Sequence, residues 1–140
     1  MKIQELSVGD WVIVDDCDKT LTKRVSAIDG TRNQVGIVKN NRGGIYWYCD
    51  DEIQPIPITT EILEQNGFTR WERGSNKGDY YLDIPRTKRV WLYYDFGVYK
   101  MAYIRNTGGC ETFFKCRDIA SVHQLQHALR LAGVEKEIEL

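Results

Sequence analysis

The chain has 140 residues, of which 42% are hydrophobic and 28% are charged, with a formal net charge of −1 at pH 7. This length suits one domain or two small lobes, and the composition excludes a disordered protein. The small net charge also excludes a general attraction to nucleic acid or acidic lipid. Charge is unevenly distributed, however, with a net of −2 in residues 1–54 and +4 in residues 68–119. A polyanion site is therefore expected in the second region.

The apolar runs are shorter than a signal-peptide core or a membrane span. They predict a cytoplasmic protein with no membrane role. The four cysteines lie at Cys17, Cys49, Cys110 and Cys116, without the paired spacing of a zinc site. In a reducing compartment we expect free thiols.

Residues 1–54 contain five short β-prone runs separated by turn signals such as Asp29-Gly30. The predicted strands cover 11–14, 21–28, 34–39, 45–49 and 52–54. Short strands linked by such turns predict an SH3-like small β-barrel or a curled five-stranded sheet. Pro55 and Pro57 then end the last strand, because proline fixes φ and lacks a donor N–H. The sequence thus predicts two lobes, 1–54 and 55–140.

The second lobe begins with a short helix over 60–66, capped by Thr59 and stopped by Gly67. Four imperfectly alternating runs follow and predict an antiparallel meander, at 79–84, 88–95, 98–105 and 111–117.

A longer helix starts at Ser121, which forms a capping box with Gln124, and ends at Gly133. Its apolar stripe is expected to pack on the meander and consists of Val122, Leu125, Ala128, Leu129 and Ala132. The residues after it, 134–140, alternate apolar and charged and predict a last edge strand.

His123 and His127 have the i, i+4 spacing of a zincin helix. Gln124 stands where the catalytic base is required, so metalloprotease chemistry is not supported. We expect these histidines opposite the apolar stripe, on a solvated face, and predict no bound metal or cofactor. The second interpretation is a partner-binding face made of His123, Gln126, His127 and Arg130.

Aromatic and basic residues alternate along 70–117, and from them we select Arg89, Trp91 and Tyr93 as candidate binding residues. Aromatic rings flanked by cations hold single-stranded nucleic acid, but rings are also common in sheet cores. Core packing is the favoured interpretation, ahead of nucleic acid or a protein-binding patch.

Catalysis has no recognisable signature in this chain. A cysteine nucleophile could pair Cys110 or Cys116 with His123, but neither cysteine stands in a nucleophile motif. A phosphate loop is also not supported, because Gly43-Gly44 is not followed by the required Lys-Ser/Thr. We predict that the protein is not an enzyme and has no catalytic residues, with a hydrolase or metal-binding protein less favoured.

A resemblance to a known family lies in three blocks of the sequence: Leu6–Val12, Glu52–Leu63 with Asn66-Gly67-Phe68, and Val122–Gln126 with Ala128-Leu129. Together they resemble a family of small uncharacterised proteins from Bacteroides-type genomes and their phages or mobile elements. The resemblance implies an accessory protein and supplies no catalytic residue. The family has asparagine where His127 stands, which argues further against a two-histidine metal site.

The expected fold is α+β: an N-terminal SH3-like small β-barrel, then a helix, an antiparallel β-sheet and a C-terminal helix packed on it. The expected function is non-enzymatic binding of a protein partner. The alternative is a single-stranded nucleic-acid binder that uses the basic, aromatic-rich sheet of residues 70–117.

Overall fold

The computed structural model of the protein describes residues 1–17, 19–39, 43–72, 78–85, 88–107 and 110–140, with backbone alone at 88, 103–107 and 110–117. The fold is mixed α+β, as expected, and contains two five-stranded antiparallel sheets. The chain divides into two compact units, Met1–Pro57 and Ile58–Leu140. The predicted boundary between residues 54 and 55 falls inside the last strand of the first unit.

The first unit is a meander with one returning strand. Its strands are β1 (Trp11–Asp16), β2 (Lys19–Asp29), β3 (Gln34–Val38), β4 (Ile45–Cys49) and β5 (Ile53–Pro55), with 3-10 turns at Ile3–Glu5 and Asp50–Glu52. The sheet order is β4-β3-β2-β1-β5. In the described ranges no ladder joins β4 to β5, so the sheet keeps two edges and is not a closed ring.

The core of the first unit follows from strand alternation. Val12 and Val14 point inward from β1 and are fully buried, while Ile13 between them is only half-buried and Asp15 after them is exposed. The buried cluster consists of Ile3, Leu6, Val12, Val14, Val25, Val35, Ile37, Tyr48 and Ile53.

The second unit contains the predicted helix, meander and long helix. Its elements are α1 (Thr60–Gln65), β6 (Thr69–Arg70), β7 (Tyr80–Ile84), β8 (Lys88–Asp95), β9 (Val98–Thr107), β10 (Cys110–Ile119) and α2 (Val122–Leu131). The sheet order is β10-β9-β8-β7-β6, antiparallel throughout. The meander is confirmed, and β6 is an additional two-residue strand.

Both predicted helix starts are confirmed. The Thr59 side chain accepts a hydrogen bond from the Ile62 N–H, and Ser121 with Gln124 forms the capping box of α2. The expected apolar side of α2 is buried, including Leu125 and Leu129. Packing of these residues stabilises α2 more than helix propensity does.

The prediction of an edge strand over 134–140 is wrong. This stretch, hereafter the tail segment, has no strand assignment, although Val134 and Ile138 are buried. At residues 136, 138 and 139 its main chain bonds to the side-chain amides of Gln126 and Asn66 in place of a neighbouring strand, while the Val134 N–H bonds to the Leu129 carbonyl at the end of α2. Alternation correctly identified the apolar side of the segment, but a side-chain amide satisfies the main chain as well as a strand does.

Candidate binding face on the second sheet

The outward side of the second sheet carries a cluster of aromatic rings. Along β8, Val90 and Leu92 are fully buried, so the residues between and beside them point to the opposite side. These outward residues are Arg89, Trp91 and Tyr93, the three sheet positions predicted from sequence. The structure therefore brings all three together on one strand face.

Trp91 is the centre of the cluster. Its ring centroid lies 5.2 Å from that of Trp71, 5.4 Å from that of Tyr81 and 6.1 Å from that of Tyr93. Tyr81 is the direct cross-strand partner of Trp91, and such aromatic pairs stabilise a sheet. We call Trp71, Tyr81, Arg89, Trp91 and Tyr93 the aromatic face.

Arg89 lies over the rings of this cluster. Its guanidinium carbon is 4.5 Å from the centroid of Tyr81 and 5.4 Å from that of Trp91. Its Nε and Nη2 also donate to the two carboxylate oxygens of Asp83, at 2.6 and 3.0 Å. The bond to Asp83 raises the pKa of the guanidinium and fixes its plane. Arg89 is thus a positioned part of the surface.

The next cation along the face is also paired. Lys100 stands opposite Tyr93 on β9, and its ammonium donates to the Asp95 carboxylate. Burial, followed by the charge of Asp79, raises the pKa of Tyr93, so its hydroxyl is neutral near pH 7. The face presents apolar ring surface with hydrogen-bonding tips and locally balanced charge.

The α2 residues lie in different surroundings from those expected. His123 is 2% exposed and Gln126 is 4% exposed, so the prediction of a solvated face is wrong for both. His123 Nδ1 lies 3.0 Å from Ser121 Oγ, and Arg130 donates to Glu137 at 3.2 Å. His127 is half-buried, with its ring 6.0 Å from that of His123. The tail segment contacts this side at Gln126 and Arg130, which the helical period alone does not reveal.

Trp71 and Tyr81 are the members of the aromatic face that the predicted site left out. Tyr81 was detectable because it alternates with the buried Tyr80 and Leu82. Trp71 follows β6, whose two residues are too short for any periodic signal. Its position depends on the backbone bond from its N–H to the Asp79 carbonyl, at 2.8 Å.

Within the described ranges, one cluster of potential metal ligands is found, at Cys49, Asp51 and Glu52, whose ligand atoms lie within 4.8 Å of one another. It excludes both histidines. The Glu52 carboxylate also accepts the Cys49 N–H at 2.8 Å as part of a turn cap. Of the four thiols expected to be free, Cys17 and Cys49 are so, and the side chains of Cys110 and Cys116 lie outside the described part of the chain. No helix in these ranges has the length and apolar character needed to cross a membrane.

No protein-family model, curated protein or solved structure matches the chain. The case for function therefore depends on the geometry of this molecule.

Proposed function

We propose that the protein is a non-enzymatic, cytoplasmic binding protein that uses the aromatic face to hold a protein partner. The observation that carries this proposal is the cluster of contacting rings around Trp91, with Tyr93 still 40% exposed at its edge. Tryptophan, tyrosine and arginine are the residues that dominate binding energy in protein interfaces. Rings held against one another lose little conformational freedom on binding.

The charge arrangement supports a protein over a nucleic acid. Nucleic acid binding draws its affinity from cations that neutralise phosphates. On this face Arg89 is bonded to Asp83 and Lys100 to Asp95, so a phosphate has to compete with a carboxylate in each case. An aromatic protein contact requires no such exchange.

Single-stranded nucleic acid remains the second candidate because rings on an open sheet can stack with bases. The net charge of +4 over residues 68–119 also favours it. Association through phosphates weakens steeply as salt rises, whereas an apolar protein contact depends on salt far less. Titration with an oligothymidine at two salt concentrations therefore separates the two candidates.

Two further parts of the proposal have separate support. An SH3-like first unit is supported by the meander β1 to β4, the return of β5 beside β1, and the 3-10 turn just before β5. An accessory role in a phage or mobile element is supported by the three sequence blocks described above.

The experiment is affinity capture from the native host with a matched pair of variants. Tyr93 and Tyr94 are neighbours of nearly equal exposure on opposite sides of β8, at 40% and 43%. We expect Trp91→Ala and Tyr93→Ala to lose the captured protein and Tyr94→Ala to retain it, with or without nuclease. Capture that disappears on nuclease treatment would favour nucleic acid, and equal loss in all three variants would show that the aromatic face is not the site.

A further inference from the structure

The side chains that hold the tail segment bind its main chain on both edges. Gln126 on α2 donates from Nε2 to the Lys136 carbonyl at 2.8 Å and accepts the Ile138 N–H at 2.7 Å. Asn66, at the end of α1, donates from Nδ2 to the Glu139 carbonyl at 2.8 Å and accepts the Glu139 N–H at 2.9 Å. Both amides thus act as donor and acceptor toward the same stretch.

This pattern reproduces the hydrogen bonding of a strand between two neighbours. In extended chain, the polar groups of residues 136 and 138 point to one edge and those of 139 to the other. Gln126 and Asn66 occupy these two edges, and both side chains are 4% exposed. These buried amides bond to the backbone N–H and C=O groups of the segment, so they do not discriminate between side chains.

Side-chain selectivity comes from two other contacts. Ile138 is 1% exposed, so an aliphatic side chain fills an internal position between the two amides. Beside it, Arg130 pairs with Glu137 at the surface. The site therefore accepts an extended segment with a branched aliphatic residue after an acidic one.

The tail segment also borders open space. Residues Gly133, Val134, Glu135 and Lys136 line a groove of about 570 Å³ whose other wall is the end of β7, from Leu82 to Pro85. The first residues of the segment thus border this groove, just before the stretch that Gln126 and Asn66 hold.

We propose that Asn66, Gln126 and the Ile138 position form a peptide-binding site that the tail segment occupies in cis. Its ligand in trans is an extended peptide of a partner protein with the pattern Glu followed by Ile, Val or Leu. The tail segment acts as a built-in competitor at high effective concentration, so the site opens to a partner when the segment leaves. This site is separate from the aromatic face and does not depend on its function.

The test uses a fluorescein-labelled peptide with the sequence of residues 134–140 and the full chain, followed by fluorescence polarisation. We expect the Ile138→Ala chain to bind the peptide at least tenfold more tightly than the wild-type chain, because its own segment competes less well. Glu135→Ala, an exposed position of the same segment, should behave as wild type. A peptide with alanine at the Ile138 position should bind the Ile138→Ala chain at least tenfold more weakly than the original peptide does. Adding Gln126→Leu to the Ile138→Ala chain should weaken its binding of the original peptide at least tenfold.

A folded Ile138→Ala chain that fails to bind the peptide, or binds the alanine peptide equally well, overturns the proposal. Hydrogen exchange on the wild-type chain decides the matter if that variant does not fold. The Ile138 and Glu139 amides should exchange at least tenfold faster than the Leu129 amide, because the segment opens before the core does. Equal protection of the three amides would mean that the segment leaves only on global unfolding, and the proposal would fail.

Discussion

The two sheets have the same number of strands but hold their exposed aromatic side chains differently. In the first unit, Tyr46 and Trp47 on β4 are each 45% exposed, and the Trp47 ring lies over Gly36. In the second unit, Trp91 is surrounded by other rings. In the first unit, the Trp47 ring occupies space that a side chain at Gly36 would fill. In the second unit, the rings pack against one another. The aromatic face we propose as a binding face is therefore distinguished by contact between its rings, since exposure alone is shared by both sheets.

Both units nevertheless use the same device beside their rings. Lys39 lies 4.3 Å from the ring centroid of Tyr46 and pairs with Asp16 at 2.6 Å, as Arg89 lies on Tyr81 and pairs with Asp83. Such exposed pairs contribute little to stability by themselves. Their effect is to fix the cation against the ring, and in the second unit this completes a continuous surface.

The largest expected effect concerns α2, which the second unit has and the described part of the first lacks. Leu129 is fully buried, so Leu129→Ala should lower the free energy of unfolding by about 2–5 kcal/mol. His127→Ala, at a half-buried position of the same helix, should cost about 1 kcal/mol or less. Urea unfolding measures both, and equal losses would show that the helix faces are wrongly assigned.

The second prediction tests the glycine beneath Trp47. A Cβ at Gly36 would lie 2.6 Å from Ile45 Cγ2 and 3.2 Å from Ala27 Cβ. Gly36→Ala should therefore cost about 1–3 kcal/mol through overpacking. Gly30 has no heavy atom within 4 Å of that position, so Gly30→Ala should match wild type or be slightly more stable. A Gly36→Ala chain with wild-type unfolding in urea would show that Ile45 and Trp47 move aside at little cost.

The third prediction is a dependence on pH in the second sheet. Burial, with smaller contributions from Tyr80, Tyr94 and Asp79, raises the pKa of Tyr99 from 10.0 to about 12. The folded state therefore holds this proton more tightly than the unfolded state, and the stabilisation is complete below pH 10. It should be lost as pH rises from about 10 to 12, by up to about 3 kcal/mol. Urea unfolding at pH 9 and 11 should show a smaller fall for Tyr99→Phe, and parallel falls would contradict the assignment.

The smallest expected effect lies in the turn between β8 and β9. Phe96 has φ of +47° and Gly97 has φ of +89°, and the two residues join the paired Asp95 and Val98. This turn favours Asn-Gly, since asparagine tolerates the left-handed region better than phenylalanine. Phe96→Asn should stabilise the chain by about 0.5–1 kcal/mol in thermal unfolding, while Phe96→Ala should gain less. Destabilisation by asparagine would mean that the Phe96 ring makes a stabilising contact.

The sequence predicted most strands because alternation and turn residues are local signals. It missed β6, which has only two residues, and with it the position of Trp71. It also misjudged Gln126 and the tail segment, whose surroundings depend on partners further along the chain. The bond from Ile138 to Gln126 spans 12 positions and that from Glu139 to Asn66 spans 73. The helical period of apolar residues shows which side of α2 packs on the core. It does not show that polar residues on another side, such as Gln126, are also buried.

The two-residue turn at Phe96-Gly97 also fixes the register in which β8 pairs with β9. Because side chains alternate, a shift of β8 by one position would turn Trp91 and Tyr93 inward and bring Val90 and Leu92 to the surface. Along β8, residues of the proposed binding face alternate with residues that pack in the core. Inserting a single residue in the turn should therefore weaken the proposed partner binding more than most substitutions in the aromatic face.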